Sequence, residues 1–355
     1  MARQGWLRAS PGAVLAVPVR MAAGLVLALF LPMAVEAAEN ESPRLLGVHY
    51  LGDLPTLVAD ERGYFRGSAG DVRIEYGDSG RRNLERLRAG EAEIALMAKT
   101  PLVIDALRDS SPGQSDDPVI LGNLVHSHRL NQVVSLEAGP VSGPGDLEGR
   151  RVGLMKGTNA EFVWSLFARM HGVDTGQVEV VDRSIEHLPG ALTGGQLDAA
   201  VLWEPWTSRT AAAAGNGLRV LPGSSAYTAH WVIVARRTWV NEHPALVRDV
   251  LKGYIRAIDW IDAHREQALK FYTRRMEVKR SLIEQSWAVL DYDLNLDWTV
   301  LNGLRLQLEW AREAGYADTR APAPGVLRLI HSGPLRRLTP FRVSIPEPRE
   351  QEGSP

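Results

Sequence analysis

Short apolar runs alternate with amphipathic stretches along most of the chain, and this alternation constrains the fold more than any other feature. The first run, at 45–49, precedes an amphipathic stretch over 54–62, which Gly63 ends. Short apolar runs are typical of buried strands, and stretches with helical periodicity are typical of helices that pack on a sheet. Because the two alternate repeatedly between residues 44 and 235, the sequence predicts β-α-β units and an α/β fold.

The alternation falls into two series, which predict two lobes with a cleft between them. The first series closes with an apolar stretch at 119–125, and the second opens at 132–136. His230 begins a stretch that we expect to return as a strand to the first lobe. The pattern then becomes helical, over 245–263, 282–290 and 298–314. The predicted parts are a discontinuous lobe 1 (43–129 and 229–332), a lobe 2 (130–228) and a flexible tail (335–355).

The first 37 residues have the features of an export signal. Three arginines precede an apolar run from 21 to 35, which ends in small residues around Ala37. A basic segment, an apolar core and small residues at a cleavage site are the parts of a secretory signal peptide. The run contains Pro32 and is shorter than the roughly 20 residues of a membrane-spanning helix. We expect cleavage near Ala37 and a periplasmic protein, with a retained membrane anchor as the alternative.

Composition and motifs exclude several classes of function. The chain has no Cys, which excludes thiolate nucleophiles, Cys-ligated metals, disulfides and a Cys-linked lipid anchor. Its net charge of −2 provides no overall positive field for nucleic acid, so no nucleic-acid partner is expected. Neither His-Glu-x-x-His nor Gly-x-Ser-x-Gly occurs, and the nine His form no metal-binding pair at helical spacing. We therefore expect no metal, no cofactor and no catalytic residues.

The turn at 77–82 has residues suited to an anion. Ligands in open α/β sheets bind beyond the carboxyl ends of the strands, where helix N-termini offer free N–H groups. Ser79 and Gly80 are small and let a ligand approach the backbone, while Arg81 and Arg82 are potential counter-charges. The alternative is a glycine-rich turn with two solvated arginines.

The turn at 155–160 has a similar character in the second series. Thr158 and Asn159 follow a glycine and begin a predicted helix, so that backbone N–H groups, a hydroxyl and an amide converge. The turn lacks the Gly-x4-Gly-Lys-Ser/Thr pattern of a nucleotide-binding loop. The alternative is that Thr158 or Asn159 serves only as a helix cap.

The turn at 202–206 ends a buried strand with two indoles and a carboxylate. Trp203 could form a wall against a ligand, and Glu204 could accept a hydrogen bond from a ligand amine. The alternative is an aromatic residue at the interface of the lobes beside a capping carboxylate. His230 lies where the chain re-enters lobe 1 and is either a ligand contact or a residue of the hinge or core.

Two further turns hold candidates with simpler explanations. Asp53 follows Gly52 and fits the cap of the first helix. Thr100 fits the cap of a helix that begins at Pro101, and Lys99 is either a residue of the cleft or a solvated residue at its rim.

Four motifs occur in a fixed order along the chain. They are Pro55-x2-Val58-Ala59-x-Glu61-x-Gly63-Tyr64-Phe65, Leu87-x-Ala89-Gly90-Glu91-x-Glu93-Ile94-Ala95, Val152-Gly153-x3-Gly157-Thr158 and Leu197-Asp198-Ala199-Ala200-x2-Trp203-Glu204-Pro205. In this order and spacing they resemble the solute-binding proteins of nitrate/sulfonate/taurine-type ABC importers, a family that also includes binders of thiamine-precursor pyrimidines. The resemblance extends over about 44–315.

This resemblance implies a type II periplasmic-binding-protein fold, in which two lobes close on one small solute. It also implies a monomer that delivers the solute to an inner-membrane permease and ATPase complex without catalysis. Matching positions give the implied ligand contacts Gly52, Asp53, Ser79, Gly80, Lys99, Thr100, Thr158, Asn159, Trp203 and Glu204, to which we add His230 from its place between the lobes.

The identity of the solute stays open at this point. Lys99 stands where family members often have a small residue, and the Arg81-Arg82 pair is not a general feature of the family. A sulfonate or nitrate fits the helix N-termini and arginines, whereas a taurine-like zwitterion or a pyrimidine fits the indoles and Glu204. An enzyme on the same fold and a periplasmic solute sensor are further alternatives.

Overall fold

The described part of the chain begins after the predicted export signal. The structure is a computed structural model that describes residues 42–67, 69–108, 116–215, 217–224, 227–317 and 324–346. The predicted signal at 1–37 lies outside these ranges. Within them, no helix is both long enough and apolar enough to cross a membrane.

The strands form two separate five-stranded sheets. In chain order they are β1 (Arg44–Val48), β2 (Arg73–Gly77), β3 (Ile94–Ala98), β4 (Pro118–Ser127), β5 (Asn131–Leu136), β6 (Arg151–Leu154), β7 (Glu179–Asp182), β8 (Ala199–Trp203), β9 (Leu218–Val220) and β10 (Ala229–Arg236). The first sheet has the order β2-β1-β3-β10-β4, and the second has the order β7-β6-β8-β5-β9. We call the part of the chain around the first sheet lobe 1 and the part around the second sheet lobe 2.

The two sheets have equivalent topologies. In lobe 1, β1 runs parallel to β2 and β3, and β10 runs antiparallel to β3 and β4. In lobe 2, β6 runs parallel to β7 and β8, and β5 runs antiparallel to β8 and β9. The chain therefore passes between the sheets twice, from β4 to β5 and from β9 to β10. The first crossing lies between residues 127 and 131, and the second lies between residues 220 and 229.

The helices follow the strands as the alternation predicts. They are α1 (Leu54–Glu61), α2 (Gly80–Arg88), α3 (Lys99–Arg108), α4 (Asn159–His171), α5 (Leu188–Thr193), α6 (Trp206–Ala213), α7 (Arg237–Glu242), α8 (Pro244–Ala263), α9 (Arg265–Met276), α10 (Arg280–Trp287), α11 (Trp298–Glu313) and α12 (Gly333–Leu338). The α/β fold class is confirmed. The helix predicted to begin at Pro101 instead begins at Lys99, so Thr100 lies inside α3 and is not its cap.

Helix α9 was not predicted from the sequence. Its apolar residues Leu269, Tyr272 and Met276 are buried and recur at helical spacing, but charged residues surround them. These charges obscure the periodicity, because they lower the mean hydropathy of the segment far below that of a typical buried helix.

The prediction of a flexible tail is wrong for most of the residues that the structure describes between 335 and 346. Leu335 of α12 is fully buried, and Val343 and Ile345 are also buried. Val343 forms a parallel bridge with Leu296, and Ser344 N–H donates to the Leu296 carbonyl at 3.0 Å. The segment up to 346 is therefore part of the fold, held by apolar burial and backbone pairing, and 347–355 lies outside the described residues.

Candidate functional site

A small cavity lies between the lobes, where strand ends and helix N-termini of both sheets meet. The volume that the centre of a water molecule can occupy in it is about 40 Å³. This is enough for a few waters or one small ion. The predicted residues that line it are Ser79, Gly80, Thr158, Asn159, Trp203 and His230. Polar and aromatic residues that were not among the predicted contacts also line it: Tyr50, Arg81, Asn131 and Trp231.

Helix α2 brings its N-terminus to the cavity. The Ser79 hydroxyl caps the helix and accepts a hydrogen bond from the Arg82 N–H at 3.3 Å. Gly80 packs so closely on β3 that a Cβ added there would lie 2.7 Å from the Cα of Met97. Glycine therefore allows the first turn of α2, with its free N–H groups, to reach the cavity wall.

Arg81 lines the cavity, whereas its neighbour Arg82 does not. The Nε of Arg81 is buried and has no hydrogen-bond partner among the described residues. The side chain reaches from lobe 1 to the turn of lobe 2, where a Cβ added at Gly157 would lie 3.2 Å from the Cδ of Arg81. Arg82 is mostly exposed and lies 4.0 Å from Asp78. The sequence alone does not distinguish the two arginines, because both follow the same turn.

Helix α4 brings a second N-terminus to the cavity from lobe 2. The Thr158 Oγ1 accepts from the Ala160 N–H at 3.2 Å and donates to the Met155 carbonyl at 2.6 Å. The hydroxyl is therefore fully used as a helix cap, as the alternative explanation of this residue expected. Thr158 accepts the Ala160 N–H with its hydroxyl and the Glu161 N–H with its carbonyl, so its contribution to the cavity is to hold the positively polarised N-terminus of α4 there.

The Asn159 amide is oriented by two hydrogen bonds from outside lobe 2. Its Oδ1 accepts from the Thr100 hydroxyl at 3.2 Å and from the Gln307 Nε2 at 3.2 Å. Its Nδ2 is buried and has no partner among the described residues. Because both donors hold the oxygen, the NH2 group is left as an unpaired donor at the cavity.

Aromatic residues form much of the remaining wall. Trp203 ends β8 and is nine-tenths buried, and Asn131 pairs with it across β5 and β8. The rings of Tyr50 and Trp231 lie 4.7 Å apart between their centroids. Such apolar surroundings lower the local dielectric and strengthen each hydrogen bond made in the cavity.

Lys99 is buried behind His230 and is not a rim residue. Its Nζ lies 2.8 Å from the His230 Nδ1, and the His230 Nε2 lies 3.0 Å from the Thr299 Oγ1. Burial lowers the pKa of Lys99 from 10.5 to about 7. Burial and the neighbouring Lys99 lower the pKa of His230 well below its usual range. Lys99 does not line the cavity, but His230, which it contacts, does.

Glu204 does not line the cavity, which corrects its predicted role. Its Oε2 accepts from the Ser208 hydroxyl at 2.7 Å and from the Ser208 N–H at 3.2 Å, and its Oε1 accepts from the Ser286 hydroxyl at 3.1 Å. The carboxyl group is buried, and burial raises its pKa. Glu204 thus joins α6 to α10 and is not placed to accept from a ligand amine.

Asp53 and Gly52 are also absent from the cavity wall. The Asp53 Oδ2 accepts from the Val48 N–H at 2.7 Å, and its Oδ1 accepts from the Thr56 hydroxyl at 2.5 Å. Burial raises the pKa of Asp53 to about 7, although these two hydrogen bonds oppose the shift. Both residues belong to the frame of lobe 1. Asp53 stands at the N-cap position of α1, but its side chain makes no hydrogen bond to the helix backbone, so the expected capping role of the carboxylate is wrong.

The lining favours a negatively charged ligand. Among the described residues, no Asp or Glu lines the cavity. Arg81, two helix N-termini and the Asn159 NH2 group supply positive charge or free N–H donors. The described ranges also contain no group of three or more His, Asp or Glu that could hold a metal ion. The arrangement can bind an oxoanion from both lobes at once.

Comparisons with known proteins identify a family and relatives of similar sequence. The sequence profile of the family described as NMT1/THI5 like matches residues 53–268. A Bacillus subtilis (strain 168) protein named "Putative aliphatic sulfonates-binding protein" is 20% identical over 234 residues, which cover 65% of this chain and 69% of that protein.

Solved structures show the same fold. The alkanesulfonate-binding protein SsuA from Xanthomonas axonopodis pv. citri, bound to MOPS, is 16% identical with a TM-score of 0.70, over 83% of this chain and 100% of that chain. The nitrate-binding protein NrtA from Synechocystis PCC 6803 is 14% identical with a TM-score of 0.65, over 84% and 88%. The desulfurization enzyme DSZB is 15% identical with a TM-score of 0.61, over 84% and 99%. The predicted periplasmic-binding-protein fold is confirmed.

Proposed function

The chain belongs to the NMT1/THI5-like family, and we propose that it is a solute-binding protein that captures a small sulfonate or nitrate between its lobes. The observation that carries this proposal is the pair of buried, unpartnered donors at the cavity, the Nδ2 of Asn159 and the Nε of Arg81. A buried donor without a partner is destabilising by about 1–3 kcal/mol, so a ligand that accepts from both recovers this free energy. An oxoanion offers several acceptor oxygens to donors that converge from two lobes.

The charge of the lining favours an anion over a zwitterion. A taurine-like solute carries an ammonium group that needs an acceptor, and Glu204 was the acceptor expected from the sequence. Its carboxylate accepts from Ser208 and Ser286 instead. An ammonium group at the cavity would therefore lie beside Arg81 without a carboxylate to offset the repulsion. An alkyl sulfonate or nitrate has no such group.

The size of the cavity also favours a small head group. Space for a few waters accommodates nitrate or one sulfonate group, whereas a pyrimidine ring would require the lobes to move apart. The sulfonate- and nitrate-binding relatives support this class of solute.

Transport is the role that the family implies. In this proposal the protein is exported to the periplasm, binds its solute as a monomer by closure of the lobes, and delivers it to an inner-membrane permease and ATPase complex. The ligand favours the closed state because only this state brings Arg81 and Asn159 to the same anion.

Binding without chemical conversion is part of the proposal. The fold alone does not decide this point, because DSZB is an enzyme with the same fold. The chain has no Cys that could act as a nucleophile. A buried pair of nitrogen bases, Lys99 and His230, lies near the cavity. Among the described residues, the hydroxyl of Thr299 is the only potential nucleophile in hydrogen-bond contact with this pair. Incubating the protein with a bound sulfonate and analysing the released solute by mass spectrometry tests this: we expect the sulfonate unchanged.

Isothermal titration calorimetry tests the proposed function. The ligands are methanesulfonate, nitrate, taurine, a hydroxymethyl aminopyrimidine, and dimethyl sulfone as the neutral analogue of methanesulfonate. We expect methanesulfonate or nitrate to bind at a ratio of one per chain and dimethyl sulfone not to bind. Binding of the pyrimidine alone, or of none of the anions, would refute the proposal.

A further inference from the structure

A second and larger cavity adjoins the one between the helix N-termini, and we call it the outer vestibule. It has about 480 Å³ open to the centres of water-sized molecules. Arg81 and Pro101 line both spaces, so the two meet at the Arg81 side chain. The vestibule also lies between the lobes, because Arg108 of α3 and Lys156 of the turn before α4 both line it.

The outer vestibule has an excess of positive charge. Four cationic and two acidic residues line it, namely Arg81, Arg88, Arg108, Lys156, Glu85 and Asp105. Arg88 pairs with Asp105 at 2.5 Å. The other charged residues of the lining are three cations and one acidic residue, Glu85. Among the described residues, neither Arg108 nor Lys156 has an acidic partner within ion-pair distance. The remaining charges from both lobes attract a negatively charged group.

Part of the lining of the outer vestibule is apolar. Leu84 and Ile104 are buried and line the vestibule next to Pro101. Tyr316 closes one side: its hydroxyl donates to Glu161 at 2.5 Å, and its ring lies 5.3 Å from the Arg108 guanidinium. A short hydrocarbon chain can contact these surfaces without leaving a polar group unpaired.

We infer that the natural solute is a dianion, with a sulfonate-type head in the inner cavity and a second anionic group in the outer vestibule near Arg108 and Lys156. A short apolar spacer passes Arg81 and joins the two groups. The second group is a carboxylate, sulfonate or phosphonate, since each is attracted by the same two cations. This inference rests on the proposed function, because it assigns the head group to the inner cavity.

The test compares two ligands that differ in one charge. Sulfopropionate carries the second anionic group, and sulfopropionamide has the same shape without it. We expect sulfopropionate to bind the protein about fivefold more tightly at low ionic strength, because each exposed ion pair adds only modestly to the affinity. Added salt should reduce the difference, since the vestibule is open to solvent.

A double variant identifies the residues responsible. In the variant Arg108→Gln with Lys156→Gln, the preference for sulfopropionate should disappear, while the affinity for methanesulfonate should stay within about twofold. The matched control is Arg169→Gln, which removes an exposed arginine that pairs with Glu313 away from the vestibule. It should leave the preference unchanged.

The outcomes separate this inference from the proposed function. Equal binding of sulfopropionate and its amide, with methanesulfonate still bound, would overturn the inference alone. A preference that persists in the double variant would also overturn it. Failure of all three sulfonates to bind would overturn the inference, and failure of nitrate as well would overturn the proposed function.

Discussion

The Thr100 hydroxyl of lobe 1 donates a hydrogen bond to the Asn159 Oδ1 of lobe 2 at 3.2 Å. This contact joins the lobes and at the same time orients the Asn159 amide, so that its NH2 group is left for the cavity. We therefore expect closure of the lobes to orient this anion donor at the same time. A ligand that accepts from the Asn159 Nδ2 binds the closed state better than the open state and shifts the protein toward it.

Replacing Thr100 by Val should weaken anion binding without removing a residue that lines the cavity. The Asn159 Oδ1 then loses one of its two donors, and we expect the affinity for methanesulfonate to fall about threefold to tenfold. Calorimetric titration measures this. Thr193→Val is the control, because the Thr193 hydroxyl bonds only within α5. Unchanged affinity in a folded Thr100→Val variant would contradict the coupling between Thr100 and the site.

The two adjacent arginines should respond differently to substitution. Arg81→Gln removes the cation at the cavity, and we expect the affinity for methanesulfonate to fall about 10- to 100-fold, as for a charge-assisted hydrogen bond. Arg82→Gln removes an equally charged but exposed residue and should change the affinity less than twofold. Titration of both variants under the same salt conditions decides the point, and equal losses would contradict the assignment of Arg81.

Gly157 should be needed for binding as well as for stability. Its φ of +71° strains any other residue, and an added Cβ would press on Arg81. Gly149 has a similar φ of +75° but no neighbour within 4 Å of an added Cβ. We expect Gly157→Ala and Gly149→Ala each to lower the free energy of unfolding by about 1 kcal/mol. Only Gly157→Ala should weaken sulfonate binding, and urea unfolding with parallel titrations checks both effects.

The affinity for anions should fall as pH rises through neutrality. Lys99 has its pKa lowered to about 7 by burial, so it loses its positive charge between pH 6 and 8.5 while a sulfonate stays fully ionised. We expect the dissociation constant of methanesulfonate to rise about threefold or more over this range. Lys99→Met should bind more weakly at pH 6 and show a flat profile. A sloped profile in that variant would assign the pH dependence to another group.

The titration of Lys99 should also affect stability, and here rising pH acts in the favourable direction. Between pH 7 and 10.5 the unfolded chain holds a proton on Lys99 that the folded protein has lost. The contribution of Lys99 to the free energy of unfolding therefore increases as pH rises through this window. In thermal unfolding without ligand, the melting temperature of Lys99→Met should exceed that of the unsubstituted protein by more at pH 6 than at pH 9.

The titration of Asp53 should lower the stability of the fold as pH rises, and it should do so at lower pH than Lys99. Its pKa is raised from 3.8 to about 7 by burial, so the folded protein holds an extra proton between these values. The contribution of Asp53 to stability is present below pH 4 and is lost as pH rises to 7. Asp53→Asn stays neutral, and its melting temperature relative to the unsubstituted protein should be about 3 °C higher or more at pH 8 than at pH 5.

A second carboxylate provides the control for Asp53. The side-chain hydrogen bond from Arg151 lowers the pKa of Asp198, so Asp198 is ionised in both the folded and the unfolded state from pH 5 to pH 8. The melting temperature of Asp198→Asn relative to the unsubstituted protein should not change between these pH values. A pH-dependent difference for Asp198→Asn, or none for Asp53→Asn, would show that the titration was assigned to the wrong group.

The sequence predicted the elements well where their signals are local. The strands β3 and β8 are continuous apolar runs, and the cap Thr158 stands directly before the helix it begins. Such features depend on a few neighbouring residues. The turns that form the cavity could therefore be located before the structure was known, although the bounds of the helices shifted by one to three residues.

The contacts that depend on distant residues could not be predicted in this way. The Glu204 carboxylate is occupied by Ser286, which lies 82 residues further along the chain. Arg81 and Arg82 follow the same turn, and only the rotation of about 100° per helical residue decides which one faces lobe 2. Leu335 and Val343 lie in a polar segment, and their apolar partners, such as Leu296, are distant in the sequence.

A crystal structure of the protein saturated with methanesulfonate tests the central claim most directly. The account predicts one anion between the lobes, with its oxygens within hydrogen-bond distance of the Asn159 Nδ2 and the Arg81 guanidinium. An anion bound elsewhere, or a cavity filled only by water while Arg81 and Asn159 make no contact with the ligand, would contradict it.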